Sequence, residues 1–238
     1  VLIPMCRTLL LVVGCVCCTI INMLLRTICY NPMCAPNTRL MSILQELKSL
    51  HVICLPGTTR GHQVEFGACR QTSMSNYTHF DWGWSRNRVG VNKSCGVSIW
   101  LRKDLFPSKA LNAVYSPPSS LQGRGGAVRY KTNTLDVVCM CLYLAPRTHP
   151  SYANANTKLL KWALAIRKKI PNRSQFLLFT DANSHLGLAD SIEGAHLPNI
   201  GCSEPCKENK NGIAFREFLI NANLVALNTH KACGPTYY

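Results

Sequence analysis

The chain has 238 residues, 47% apolar and 16% charged; that is enough for one sizeable core, and too apolar for a disordered segment. Its 26 Lys and Arg against 11 Asp and Glu give a formal charge of +15, which favours polyanionic partners because each neutralised phosphate releases counterions; the alternative is a surplus of charge without a partner. The 14 cysteines keep no regular spacing and often stand inside apolar runs, as small buried hydrophobes do, so reduced thiols and an intracellular location are expected rather than a secreted disulfide framework.

Residues 9–25 read LLLVVGCVCCTIINMLL, without charge, between Arg7 and Arg26. The run is slightly short of the roughly 20 residues of a membrane helix, and its apolar core after a positive charge also fits a signal peptide. β-branched residues, cysteines and Asn22 favour a buried segment instead. Residues 1–23 are therefore set apart as an apolar segment of open role, with membrane association through Leu9 to Leu25 as the minor alternative, and 24–238 are read as one domain. A strand is expected over 24–30, closed by Asn31-Pro32. Leu40, Ile43, Leu44, Leu47 and Leu50 share one face at helical spacing, predicting a helix over 39–50. A short apolar strand over 51–55 ends at Pro56-Gly57.

Strands over 77–84 and 95–101 flank a basic, Gly-containing loop. Trp82, Trp84, Arg86, Arg88 and Lys93 interleave aromatic and basic side chains there, a pattern for stacking on nucleic-acid bases or simply a strand with a basic turn. Residues 127–131 and 135–144 form a hairpin across Thr132-Asn133-Thr134. A helix over 152–170 stops before Pro171, and the next element is an apolar strand over 176–180. Residues 187–211 are loop-like. In and beside that loop His185, His196, Cys202 and Cys206 have zinc-ligand chemistry, but their irregular spacing favours a chance cluster. A helix over 213–222 and a strand over 224–227 come last. Helix-flanked strands mixed with hairpins predict an α/β fold with mixed sheets, whose ligands sit where loops leave the strand ends.

The sharpest local feature is Phe176-Leu177-Leu178-Phe179-Thr180-Asp181-Ala182-Asn183-Ser184-His185. A buried strand delivers a carboxylate and an amide two positions apart, on one side if the strand runs on. A carboxylate orients or deprotonates water and an amide holds a phosphate oxygen. An Asx-turn at the strand end accounts for the same residues without function.

This segment resembles the strand and Gly-Asp-x-Asn turn of the endonuclease/exonuclease/phosphatase superfamily, with Thr180 in place of the glycine. His185 and Gly187 resemble the residues just after that turn in its retrotransposon (non-long-terminal-repeat) endonuclease branch. Other blocks agree in order. Thr27 to Asn31 is similar to the first strand and its functional asparagine. The helix from Met41 with His51 to Leu55 resembles the second unit. Cys95 to Ile99 with Leu101 to Asp104 resembles the glycine-led strand and basic turn. Gly123-Arg124 with Val137 to Pro146 is similar to the strand pair ending in a Tyr-x-x-Pro or Tyr-x-Pro turn, and Asn211 to Thr229 to the helix and strand that come after the Asp-x-Asn turn.

The resemblance implies two packed mixed β-sheets flanked by helices, a four-layer α/β sandwich. It is expected to be incomplete at the C-terminus, since an aspartate-bearing strand and a Ser-Asp-His segment would come near Tyr238. Loss of such strands would expose sheet edges and leave marginal stability. The implied activity is a metal-dependent phosphodiesterase, a DNA endonuclease with Mg²⁺ or Mn²⁺ weakly bound, partnered by the DNA phosphate backbone, with no dedicated protein partner and a nuclear location if functional. Asn31 would sit beside the metal, Tyr143 would contact the scissile phosphate, Asp181 would orient or deprotonate the attacking water beside the metal, and Asn183 would hold a non-bridging oxygen. Arg147, standing where an asparagine often comes after the turn proline, and His185 would touch phosphate.

One departure bears on activity directly. Gly57 occupies the position of the metal-binding glutamate and has no side chain to ligate; Glu65 is the nearest later acid. Catalysis is therefore expected to be impaired, with a non-catalytic basic nucleic-acid-binding module or a non-functional fragment as alternatives.

Overall fold

The computed structural model describes residues 11–14, 25–32, 50–58, 69–74, 76–83, 95–149, 151–186, 199–201 and 208–229. Among them are strands β1 (Leu11–Gly14), β2 (Thr27–Cys29), β3 (Val52–Pro56), β4 (Arg70–Met74), β5 (Tyr77–Trp82), β6 (Val97–Arg102), β7 (Leu111–Tyr115), β8 (Gly125–Lys131), β9 (Asp136–Tyr143), β10 (Gln175–Asp181) and β11 (Leu224–Ala226). Helices α1 (Tyr152–Lys169) and α2 (Lys210–Ala222) complete the regular elements relevant to the site.

Two mixed sheets form. One has six strands in the order β11-β1-β10-β9-β8-β7, the other five in the order β2-β3-β6-β5-β4. Alternation along the strands explains how they stack. In β9, Val137, Cys139, Cys141 and Tyr143 join Cys29, Cys54, Phe80, Val97 and Ile99 of the facing sheet in one core. Val138, Met140 and Leu142 point the other way and pack with Leu159, Ala163 and Ile166 of α1 and Phe215, Phe218 and Leu219 of α2. A third cluster of Ile53, Leu55, Tyr77 and Trp100 lies on the outer face of the five-stranded sheet, with Leu50 against it. This is the two-sheet, helix-flanked α/β sandwich. The helix expected over 39–50 lies outside the described residues except for Leu50.

Strand β1 falls inside the run set apart in the sequence. It pairs antiparallel with β10, Leu11 opposite Phe179 and Val13 opposite Leu177, and antiparallel with β11, Val12 opposite Ala226. Residues 11–14 are thus an interior strand of the larger sheet. No helix among the described residues is long and apolar enough to cross a membrane.

Three strands were not anticipated: β1, in the run set apart, and β4 and β7. Both β4 and β7 are edge strands, and an edge strand needs little apolar surface. Trp82 corrects the base-stacking pattern: its ring is 2% exposed, and its indole Nε1 donates to Ser116 Oγ at 3.0 Å. A ring enclosed in this way has no free face for a base. Trp84, Arg86, Arg88, Lys93, His196, Cys202 and Cys206 lie outside the described residues.

Candidate functional site

The parallel pairing of β9 with β10 places Tyr143 opposite Asp181 at the ends of adjacent strands. The chain then turns at both ends, and Leu144 N–H donates to the Asp181 carbonyl at 2.9 Å. Asp181 is 4% exposed. Its Oδ2 accepts from Asn31 Nδ2 at 2.6 Å, a bond across 150 residues that ties the end of β2 in one sheet to the end of β10 in the other. Its Oδ1 accepts from Asn183 N–H at 3.2 Å. This last bond closes the Asx-turn expected at the strand end. Asn183 has φ of 43°, a left-handed conformation that asparagine tolerates better than most residues. Its side-chain Nδ2 donates to the Leu144 carbonyl at 2.7 Å.

Two buried asparagines hold these turns from behind. The Ala145 N–H donates to Asn156 Oδ1 at 2.7 Å, while Asn156 Nδ2 donates to the Ala145 carbonyl and to Asn211 Oδ1. Asn211 Nδ2 in turn donates to the carbonyls of Ala145 and Asn183, at 3.3 and 3.1 Å. One residue from each helix thus fixes the Tyr143–Pro146 turn against the Asp181–Asn183 turn. The sequence signal for Asn156 was faint: a lone polar residue on the apolar face of a long helix. Asn211 had read as the start of a helix.

A cavity of about 730 Å³ opens beside Asn183, lined by Pro146, Arg147, Asn183, Ser184, His185, Glu208, Asn209 and Lys210. Arg147 and His185, both expected to touch phosphate, line this cavity. Glu208 is held by Arg216 at 3.1 Å, so the acid on this wall already carries a counter-charge. The first turn of α2 faces the same space, and its cap, Asn209 Oδ1, accepts from Gly212 N–H at 2.8 Å. Beneath Asp181, burial pushes the Cys29 and Cys54 thiols well above their usual range; for Cys29 the neighbouring Cys141 and Asp181 add to that. Both stay protonated and place no thiolate next to the carboxylate.

No protein-family model matches the sequence, and no curated protein does. Solved structures do match. The AP endonuclease LMAP from Leishmania major superposes with a TM-score of 0.50 at 13% identity, over 80% of this chain and 62% of that one. The catalytic domain of Xenopus laevis APE2 overlaps with a TM-score of 0.45 at 13% identity, over 75% and 62% of the two chains. The endonuclease domain of TRAS1, a telomere-specific non-LTR retrotransposon, gives 0.40 at 12% identity, over 78% and 64%. The Leishmania structure carries the assignment; the other two overlaps are too low to add to it. The chain has the endonuclease/exonuclease/phosphatase fold. It spans about 62% of the length of that Leishmania protein.

Within this fold the donor set for a divalent cation can be tested on the residues themselves. Magnesium is held by one or two carboxylates with water and substrate oxygens completing its shell. Among the described residues two carboxylates stand by this edge: Asp181, each of whose oxygens accepts a protein hydrogen bond, and Glu208 on the cavity wall, which pairs with Arg216. Gly57, at φ of +76°, lies flat against Asn31: a Cβ there would stand 2.7 Å from Asn31 Oδ1. Among the described residues no group of three or more His, Cys, Asp or Glu side chains converges as metal ligands do. Glu65 lies outside the described residues. The described residues do not supply the acidic donor set of the metal that the fold family implies, and the Nδ2 of Asn31 is engaged by Asp181.

Proposed function

We propose that this chain is a DNA-endonuclease-like phosphodiesterase domain of retrotransposon origin whose hydrolytic step is impaired and whose retained capacity is to hold the phosphate backbone of DNA inside the cell, in the nucleus. The observation that carries the reading is the hydrogen bond from Asn31 to Asp181. It joins the two sheets at the one edge where Tyr143, Asn183 and the Arg147–His185 cavity also meet.

In this reading Asn183 and Tyr143 face the phosphate, while Arg147, His185 and Lys210 neutralise the flanking backbone. Asp181 has the position to orient a water, but its oxygens are engaged by Asn31 and Asn183. Those two bonds hold the carboxylate in place. The lack of a second carboxylate at Gly57 removes the means of concentrating a cation on the leaving oxygen, which is the charge-neutralising part of such a reaction.

The test has two parts. Binding of a double-stranded oligonucleotide is expected to weaken steeply between low and physiological salt. Nicking of supercoiled plasmid with Mg²⁺ is expected to match an Asp181→Ala control. Affinity indifferent to salt would overturn the binding part. Nicking well above the control would overturn the impairment and restore the full phosphodiesterase reading.

A further inference from the structure

One charged group near the site has no counter-charge among the described residues. Arg124 is 5% exposed, and its Nη1 lacks a hydrogen-bond partner. None of the ion pairs among the described residues includes it. A guanidinium cannot discard its charge, and a buried charge left uncompensated is among the costliest arrangements a fold tolerates. Its place is well defined. The Arg124 carbonyl accepts from Tyr143 N–H at 2.8 Å, and its guanidinium carbon lies 5.5 Å from the centre of the Tyr143 ring. Its field also reaches the turn beyond Pro146: the His149 imidazole is held below its usual range, first by burial and then by Arg124.

A second buried arginine shows what a structural role looks like. Arg167 Nε also lacks a partner, and its guanidinium lies 5.6 Å from the Phe176 ring. That residue sits in the last turn of α1, where unpaired helix carbonyls favour a cation. Phe176 is near the start of β10, whereas Tyr143 faces Asp181 at its end. Arg124 is in no α-helix and lies at the functional edge.

We propose that Arg124 is a phosphate-binding residue: its guanidinium takes an oxygen of a phosphate group seated against Tyr143. The planar fork of an arginine matches two oxygens of a phosphate, and the anion would supply the counter-charge that the described residues do not. The location rests on reading the Tyr143–Asp181 edge as a phosphate site, but the chemistry needed is anion binding alone, with no hydrolysis.

The experiment is calorimetric titration of the whole chain with inorganic phosphate and, separately, with a double-stranded oligonucleotide, in chloride buffers of matched ionic strength. Arg124→Met is expected to lower affinity at least about tenfold, the scale of one charge-assisted hydrogen bond. For the oligonucleotide it should also flatten the slope of log affinity against log salt by about 1. Arg124→Lys should recover part of that loss, and Arg167→Met should change neither measurement. A loss confined to the oligonucleotide assigns the phosphate to a nucleic-acid backbone; a loss confined to inorganic phosphate assigns it to a free anion. Either outcome supports the site.

Wild-type affinity and salt slope in Arg124→Met would overturn the proposal, as would a wild type that binds neither probe. Failure of both Arg124 variants to fold would also overturn it, by giving the residue a structural role. If plasmid nicking fails but the Arg124-dependent binding is present, the hydrolytic reading falls and this one stands. If DNA binds but Arg124→Met does not alter it, this one falls alone.

Discussion

Gly57 is the residue on which the chemistry turns. An aliphatic or acidic side chain at φ of +76° costs about 1–3 kcal/mol from backbone strain, and its Cβ would press on Asn31 Oδ1 at 2.7 Å. The glycine is therefore matched to the Asn31–Asp181 hydrogen bond rather than an empty slot awaiting a carboxylate. Gly57→Glu is expected to destabilise the chain by about that amount, measured by urea denaturation, and to displace Asn31 from Asp181. It should not confer Mg²⁺-dependent nicking. A variant of wild-type stability that nicks plasmid with Mg²⁺ would show that the backbone accepts the acid and that the glycine is a simple loss.

Among the elements, the helices contribute to the site through single polar residues. Asn156 and Asn211 are 1% and 3% exposed, and together they satisfy the buried backbone of two turns. Removing either leaves a buried carbonyl or N–H unpaired, at about 1–3 kcal/mol. Asn156→Ala and Asn211→Ala should each lower stability on that scale and weaken oligonucleotide binding, although neither residue lines the cavity. Because they share a hydrogen bond, the double variant should cost less than the two single losses added. Strict additivity would mean that the two turns are held independently. The β8–β9 hairpin offers a pH test. Arg129 grips Asp136 with two bonds of 2.8 and 2.7 Å. Burial raises the Asp136 pKa, but the Arg129 and Ser174 hydrogen bonds outweigh it and hold the carboxyl below its usual value. A carboxyl depressed in the folded state gives stability that is present above its unfolded pKa of about 3.9 and lost as pH falls through the lower folded value. Asp136→Asn should therefore be less stable than wild type at neutral pH, and the gap should close in the acid limb below about pH 4. A gap of constant size down to pH 2 would assign the loss to packing.

At the scale of the whole molecule, legibility tracks burial. The apolar core strands β3, β9 and β10 stood out because their runs of apolar residues are continuous, and their ends fell within a residue or two of expectation. The edge strands gave no such signal: β4 is polar, and β7 is a short segment with alternating partial exposure. Asp181 and Asn183 drew attention because they come at the end of a core strand, and Tyr143 through the family resemblance. The partner that holds Asp181, the buried charge of Arg124 and the Asn156–Asn211 clamp are tertiary facts between distant segments, which no local pattern encodes. The apolar run near the start carried the opposite problem: its composition favoured a buried segment but did not say which element it forms.

The structure places β1 between β10 and β11, and this has a consequence for the whole fold. An interior strand satisfies the backbone of two neighbours at once, and without it β10 and β11 each present an unpaired edge. β10 also carries Asp181, so the edge would open beside the site. A variant lacking residues 1–14 is expected to lose cooperative unfolding or aggregate, and hydrogen exchange along β10 should speed up before that along β5 and β6 of the other sheet. If the shortened chain instead unfolds with the wild-type midpoint and β10 keeps its protection, β1 adds nothing to the sheet that seats Asp181, and the domain proper begins after it.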